Sequence, residues 1–441
     1  MALRPRDLWL GLLFGSTLLA RSALAAEPTV ITSATEDKLF SAHFTVDYAY
    51  ASKTAGILRE TPMGTMAGQP TNRVHDLIYK SSRHTMNVRG AFGFFHDIEV
   101  HVALPIVISD ARHLEYDDTD ATSSPTVTEG ILPASGFDAN NDVPQASGKT
   151  VFIGPDRSGL DQIWLGARWA PLNQRRDPSK PTWTIGGEYR MEIGDTMKFD
   201  RTKAKANTGV GRGVNEFYLD TSISRRIGWA DPFVTFWWLY PTANDDSNYP
   251  TFPLSIGQED KQPQQRAGTR FGFESIVWEQ PDQQRRIGIE VATRVEATFQ
   301  GRGYSEMWEA FSTSPAFMIN PDPGNTMPGT PGAMLQPHPG TTVIENYATF
   351  GGEMAIRGQL GKLIQFRVGG GFTYDQGHAI TFDDAGKDRP NSTTDDMDSV
   401  VTPGTVEENP LHFRTIDLPG KRYRVDSSTT WEIFVMGKIL L

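Results

Sequence analysis

Along most of this chain apolar and polar residues alternate one by one, in segments of about ten residues. In IEVHVALPIVI, Ile98, Val100, Val102, Leu104, Ile106 and Ile108 fall on one face and Glu99, His101 and Ala103 on the other. In RIGIEVATRVEATF, Ile287, Ile289, Val291, Val295 and Phe299 point one way and Glu290, Arg294 and Glu296 the other. A period of two is the signature of a strand whose faces meet different surroundings. Twelve such segments begin near Leu39, Arg83, Ile98, Leu160, Thr182, Glu216, Pro232, Arg266, Arg286, Glu345, Leu363 and Thr429. Pro232 is tolerable at a strand start, where no ladder hydrogen bond is owed. The segment PFVTFWWLY is apolar on both faces and its orientation stays open.

The connections alternate as well. Short ones lie near Asp97, at Gly228–Asp231, near Asp282 and near Gly361, with a somewhat longer one at Pro171–Pro181. The others run from about 20 residues near Gly209 to about 50 near Asp118 and Asp395. An even strand number with short turns on one side and long loops on the other predicts an all-β fold. It is a closed antiparallel transmembrane β-barrel of about twelve strands, with short periplasmic turns and long extracellular loops. A soluble sandwich would also alternate, but it would not need such long loops repeatedly on one side. Bulky aromatics near segment ends (Tyr48, Tyr50, Phe92, Phe94, Trp169, Trp183, Tyr189, Trp278, Phe299, Trp431) fit interfacial girdles.

The N-terminus is patterned differently. Arg4 and Arg6, the apolar run Leu8–Ala20 and the small residues Ala23 and Ala25 read as a secretory signal peptide over residues 1–25, cleaved before Ala26. Residues 26–38 would then form a periplasmic segment and 39–441 the barrel. No other run of about 18 apolar residues occurs, which excludes a bundle of membrane helices. The chain has no cysteine, so disulfides, thiolate metal sites and a cysteine nucleophile are excluded. Its 42 basic and 53 acidic residues give a net charge of -11, which argues against nucleic-acid binding.

With this pattern the chain resembles the Gram-negative outer-membrane β-barrel class. The stretches GLDQIWLGARWAPL and TWTIGGEYRMEIGD are similar to strands of outer-membrane transporters of the aromatic-degradation type. The resemblance implies a location in the outer membrane, contact with its lipid and lipopolysaccharide, and delivery by the barrel-insertion machinery. Barrels of this class usually end in an aromatic residue; this chain ends in Leu441, although Trp431, Ile433, Val435, Ile439 and Leu441 keep the alternation.

If the apolar face meets lipid, the polar register lines the interior. The lumen-lining candidates are Arg89, Glu99, His101, Arg168, Glu188, Arg190, Glu216, Asp220, Arg270, Glu274, Glu290, Arg294, Glu296, Glu353, Arg357 and Arg367. They can satisfy one another as ion pairs, or form a charged constriction that selects solutes. Twelve strands give a bore between filled and open barrels.

The loops carry much of the negative charge, with nine acids against three bases between Ser109 and Gly159. In FDANNDVPQASG, Asp138, Asn140 and Asp142 make half of a calcium loop, but the glycine and distal Glu are missing. SEMWEAFS (Ser305–Ser312) is expected as two helical turns, either packed on neighbouring loops or plugging the lumen. His84 near Ser81 and Ser82, and His113 among acids, are the nearest approach to hydrolase chemistry, without a signature. Three function classes remain: a channel for small solutes, a structural or surface-interaction barrel with a closed lumen, and an outer-membrane hydrolase. No cofactor or metal is called for.

Overall fold

The computed structural model describes residues 26–31, 40–62, 71–94, 97–141, 145–245, 247–249, 257–321, 335–388 and 400–441. Met1–Ala25, expected as a signal peptide, Asp142 of the half calcium loop and most of the Pro- and Gly-rich stretch 324–340 lie outside the described residues. Twelve long strands build the fold. They are β1 (Ser41–Pro62), β2 (Thr71–Phe94), β3 (Ile98–Tyr116), β4 (Gln162–Leu172), β5 (Thr182–Glu192) and β6 (Val214–Ser224). Then come β7 (Ala230–Ala243), β8 (Arg266–Gln280), β9 (Arg285–Thr298), β10 (Tyr347–Leu360), β11 (Ile364–Asp375) and β12 (Tyr423–Leu440). Each pairs antiparallel with its neighbour in the chain, and β1 also pairs with β12, Phe44 opposite Ile439 and Tyr50 opposite Ile433. The sheet therefore closes into a barrel with no free edge.

Tight turns gather at one rim, from Phe94 to Ile98, Ser224 to Ala230, Gln280 to Arg285 and Leu360 to Ile364, with Leu172 to Thr182 longer. Gly228 and Gly361 take left-handed φ values of 61° and 69° there, which a β-carbon would disfavour. Both chain ends of the barrel close on the same rim, where Leu441 N donates to the Ala42 carbonyl at 2.8 Å.

The two faces differ as the alternation requires. Ile98, Val100 and Val102 of β3, Ile287, Ile289 and Val291 of β9, and Trp431, Ile433 and Val435 of β12 are exposed. Glu99, His101, Glu274 and Glu290 on the opposite face are buried. Phe92, Phe94, Trp169 and Trp278 stand exposed near the short-turn rim and Tyr240 and Tyr374 toward the other end. A closed barrel with a continuous apolar outer belt and a charged interior is an integral outer-membrane protein. The segment with two apolar faces resolves: Phe233, Thr235 and Leu239 of β7 are buried inside, and Phe236, Trp238 and Tyr240 face out.

Three boundaries differ from the sequence expectation. The second strand begins at Thr71 rather than near Arg83, and β1 runs on to Pro62, so their hairpin rises beyond the membrane. Ile57, Leu58, Arg59 and Glu60 are buried in succession there, because loops cover both faces and the period-two signal is lost. The fourth strand is broken at Asp161, with Arg157–Leu160 continuing it above. The last strand begins at Tyr423, six residues before Thr429.

The long loops fold inward and share a core over the mouth. Ala55, Ile57, Leu77, Leu114, Tyr423 and Val425 from the strand tips pack with Ile131, Phe137, Phe152, Phe311, Phe317 and Ile416 from the loops. The expected helical turns become the six-residue helix Trp308–Thr313, every residue of which is buried. Phe311 lies 5.4 Å from the Tyr423 ring. Arg157 pairs with Glu309 at 2.6 Å and stacks 5.1 Å from the Trp308 ring. His338, in the same cap, has its imidazole pushed down to about 3 by burial, with the Arg302 charge adding to the effect. It therefore stays neutral at physiological pH.

Two outcomes follow from the topology and the faces. Because the chain has no cysteine, single cysteines report sidedness directly. Asp118→Cys should react with an impermeant maleimide on intact cells and Asp282→Cys only after lysis; the opposite result would invert the barrel. Val291→Arg should lower stability in lipid by about 2–4 kcal/mol, while Val291→Leu stays near wild type. Equilibrium unfolding in vesicles measures both.

Candidate functional site: the charged interior

Register decides which charges meet. Across β8, β9, β10 and β11 it places Arg270, Glu290, Glu353 and Arg367 together. Arg270 donates to Glu290 at 2.6 Å and also to Glu353; Arg367 donates to Glu290 and to Glu353, each at 2.9 Å. One layer nearer the short-turn rim, Glu274 accepts from Arg286 and, at 2.5 Å, from Arg357. On the other wall Arg89 donates to Glu99 at 3.0 Å, and His101 Nε2 lies 3.0 Å from Glu188, which also accepts from Arg190 at 2.9 Å. Arg168 donates to Asp220 at 2.8 Å. Glu216 accepts from Arg212 at 2.5 Å, and Glu296 stands 3.7 Å from Arg266.

Arg294 is different. Among the described residues no ion pair or hydrogen bond holds its guanidinium, and it borders a small cavity of about 20 Å³ with Arg270, Glu353 and Glu432. Every sequence candidate is thus placed, and all but Arg294 have an ionic partner.

Sequence reasoning missed several members of these clusters. Arg286 shares the parity of Glu290 and was legible from it. Arg212 precedes its strand and carries no periodic signal. Asp231 depends on the orientation of the doubly apolar segment. The aromatic members are also new: the Arg190 guanidinium lies between the rings of Trp164 and Tyr218, 4.2 Å and 4.3 Å from their centroids. Arg226, which shares the polar register by count, sits instead in the turn after β6 and pairs with Glu279 at 2.6 Å.

Inward glycines let these pairs lie flat on the wall. A β-carbon at Gly288 would come within 2.5 Å of Glu274 Oε1, and one at Gly166 would collide with the His101 ring. Glycine is required by close approach here, not by turn geometry.

Residues 26–31, expected as a periplasmic segment, lie inside the barrel against β5, β6 and β7. Thr29 Oγ1 is 2.6 Å from Ser224 Oγ, and the Pro28 carbonyl accepts from Arg168 at 3.2 Å. Beside Val30 is a polar cavity of about 160 Å³ bordered by His43, Asp47, Arg89, Arg168 and Lys438.

Of the hydrolase candidates, His84 lies opposite Ser109 in register. His84 bonds the Tyr48 hydroxyl at 2.7 Å and His113 bonds Glu115 at 3.2 Å. No cluster of three or more metal-ligating side chains occurs among the described residues.

No family model and no curated protein matches the chain. Several solved structures are similar to it. An outer membrane channel from Pseudomonas putida F1 is 11% identical over 97% of this chain and 100% of its own, with a TM-score of 0.42. A FadL homologue from Pseudomonas aeruginosa is 9% identical over 91% and 90%, with a TM-score of 0.30. A mutant of the TodX monoaromatic hydrocarbon channel is 8% identical over 90% of each chain, also at 0.30. All three are outer-membrane barrels; at these identities none fixes a function for this chain.

The density of pairing has an energetic consequence. Glu274→Gln leaves Arg286 and Arg357, both nearly buried, without their carboxylate. It should cost about 3–5 kcal/mol, as loss of one partner from a buried pair does. Glu296→Gln, whose partner Arg266 is exposed, should cost at most about 1 kcal/mol. Equal effects in urea unfolding would mean that Glu274 is not the counter-charge of the two arginines.

Proposed function

We propose that this protein is an outer-membrane channel that passes small solutes along its mixed-charge interior, and that the conformation described here is a shut one. The observation that carries the reading is the polar, cavity-bearing inner wall with Arg294 left without an ionic partner beside it. Arg294 acts at a distance on Glu296, Glu353 and Glu432 but makes no contact pair with any of them, so its charge borders the cavity instead of being held in a close pair on the wall. The loop cap and the segment 26–31 obstruct the two ends, so conduction requires one of them to move.

A closed, structural barrel is the competing reading, and the saturation of the other charges favours it. A hydrolase draws the least support, since His84 and His113 are engaged by the Tyr48 hydroxyl and Glu115.

Planar-bilayer recording decides between the first two. Wild type should show discrete conductance steps. Arg294→Glu should shift the reversal potential in a salt gradient toward cation selectivity, more strongly at low salt, where screening is weak. Silence from wild type under all voltages, with the barrel folded by heat-modifiable gel migration, would leave the structural reading in its place.

A further inference from the structure

Register puts three carboxylates side by side on the inner wall: Asp231 of β7 opposite Glu274 of β8, and Glu274 opposite Glu290 of β9. All three are almost completely buried. Their cations are unevenly shared. Arg286 and Arg357 hold Glu274, and Arg270 and Arg367 hold Glu290 through Oε1 alone. Glu290 Oε2 and both oxygens of Asp231 have no hydrogen-bond partner. Asp231 feels Arg286 and Arg357, which contact Glu274 instead, and Arg226, which is taken by Glu279. A buried carboxylate with no partner is among the costliest features a fold can carry.

The next residues along the same two strands, Phe233 and Ala292, form a buried cluster with Ala26. They lie about 7 Å from Asp231 and Glu290, two residues of strand rise. Gly272, opposite both in register, lets Ala292 pack close, since a β-carbon at Gly272 would come within 2.8 Å of Ala292 Cβ. The Ala26 carbonyl accepts from Thr29 N at 2.9 Å, and Thr29 and Pro28 are bonded to Ser224 and Arg168. Ala26 is thus held one side-chain layer along the wall from the acidic row, and it is the residue that signal cleavage would leave at the start of the mature chain.

We propose that the α-ammonium created at Ala26 by leader removal is the missing counter-charge of Asp231 and Glu290, so that processing itself seats the segment 26–31 inside the barrel. In the precursor the same nitrogen is a neutral amide and offers the row no charge. The docked segment borders the larger cavity through Val30, and its place in the lumen matters to transport only if the channel reading holds. The docking chemistry does not depend on that reading.

The test uses mature protein isolated from outer membranes in detergent. Its N-terminal sequence should read Ala26-Glu27-Pro28; any other start overturns the proposal. An amine-acylating reagent at neutral pH, read by mass spectrometry of the N-terminal peptide, should label Ala26 about tenfold more slowly in wild type than in Asp231→Asn/Glu290→Gln. A carboxylate within about 4–6 Å favours the charged amine by at least that factor. Equal labelling in two folded proteins overturns it. If the double variant does not fold, Asp231→Asn alone is compared. A refolded chain keeping a Gly-Gly-Ser extension before Ala26 should also melt at lower temperature than one starting at Ala26; an unchanged melting temperature overturns the proposal. None of these readouts requires conductance, so a silent bilayer with protected Ala26 would sink the channel reading alone.

Discussion

Every backbone N–H and C=O that crosses a bilayer must find its partner inside the protein, because hydrocarbon offers none. For strands this means closure, and here closure is made by the pairing of β1 with β12. Once the ring is closed each strand has a face in lipid and a face in the bore, and alternation of side chains is forced on the whole chain. The apolar belt and the charged interior are therefore two results of one constraint.

The interior inherits a second problem from the first. Charges placed on the inner face are largely removed from water, so they must neutralise one another. Straight-across register supplies neighbours such as Glu274 and Glu290 that are alike in sign, and the solution is diagonal. Arg357 and Arg286 reach Glu274, while Arg270 and Arg367 converge on Glu290 and Glu353. Long arginines bridging strands over inward glycines make this possible, with Gly288 beneath Glu274 as one instance. Planar guanidinium groups can serve two carboxylates at once, which lysine does less well.

What could be read from the sequence follows the reach of that alternation. Strand number, faces and the parity of Glu99, Glu290 and Arg294 were legible because lipid on one side and the bore on the other impose a strict period. The signal failed where the surroundings stopped differing. The β1–β2 tip around Ile57–Glu60 is covered on both faces, and PFVTFWWLY is apolar on both. Ion-pair partners were not legible at all, since Glu353 meets Arg270 only through three strands of register. Nor was the position of Ala26–Ile31: nothing in AEPTVI differs from a free periplasmic segment, and its docking depends on Phe233 and Ala292 from separate strands and on Ser224.

The loop cap and the segment 26–31 are attached to the barrel differently, and this bears on which one would yield. The cap rests on an apolar core that joins four strand tips to several loops, with the buried pair Arg157–Glu309 and the ring of Phe311 against Tyr423 inside it. Moving it exposes many apolar side chains together, at about 25 cal/mol for each Å². The segment 26–31 is short: it buries Ala26, against Phe233 and Ala292, and Ile31, and is otherwise attached through Thr29 and the Pro28 carbonyl. Such neutral hydrogen bonds are worth about 0.5–1.5 kcal/mol each, and their groups find water in the neighbouring polar cavity when released. On the proposed channel reading, this six-residue segment is the cheaper of the two to displace.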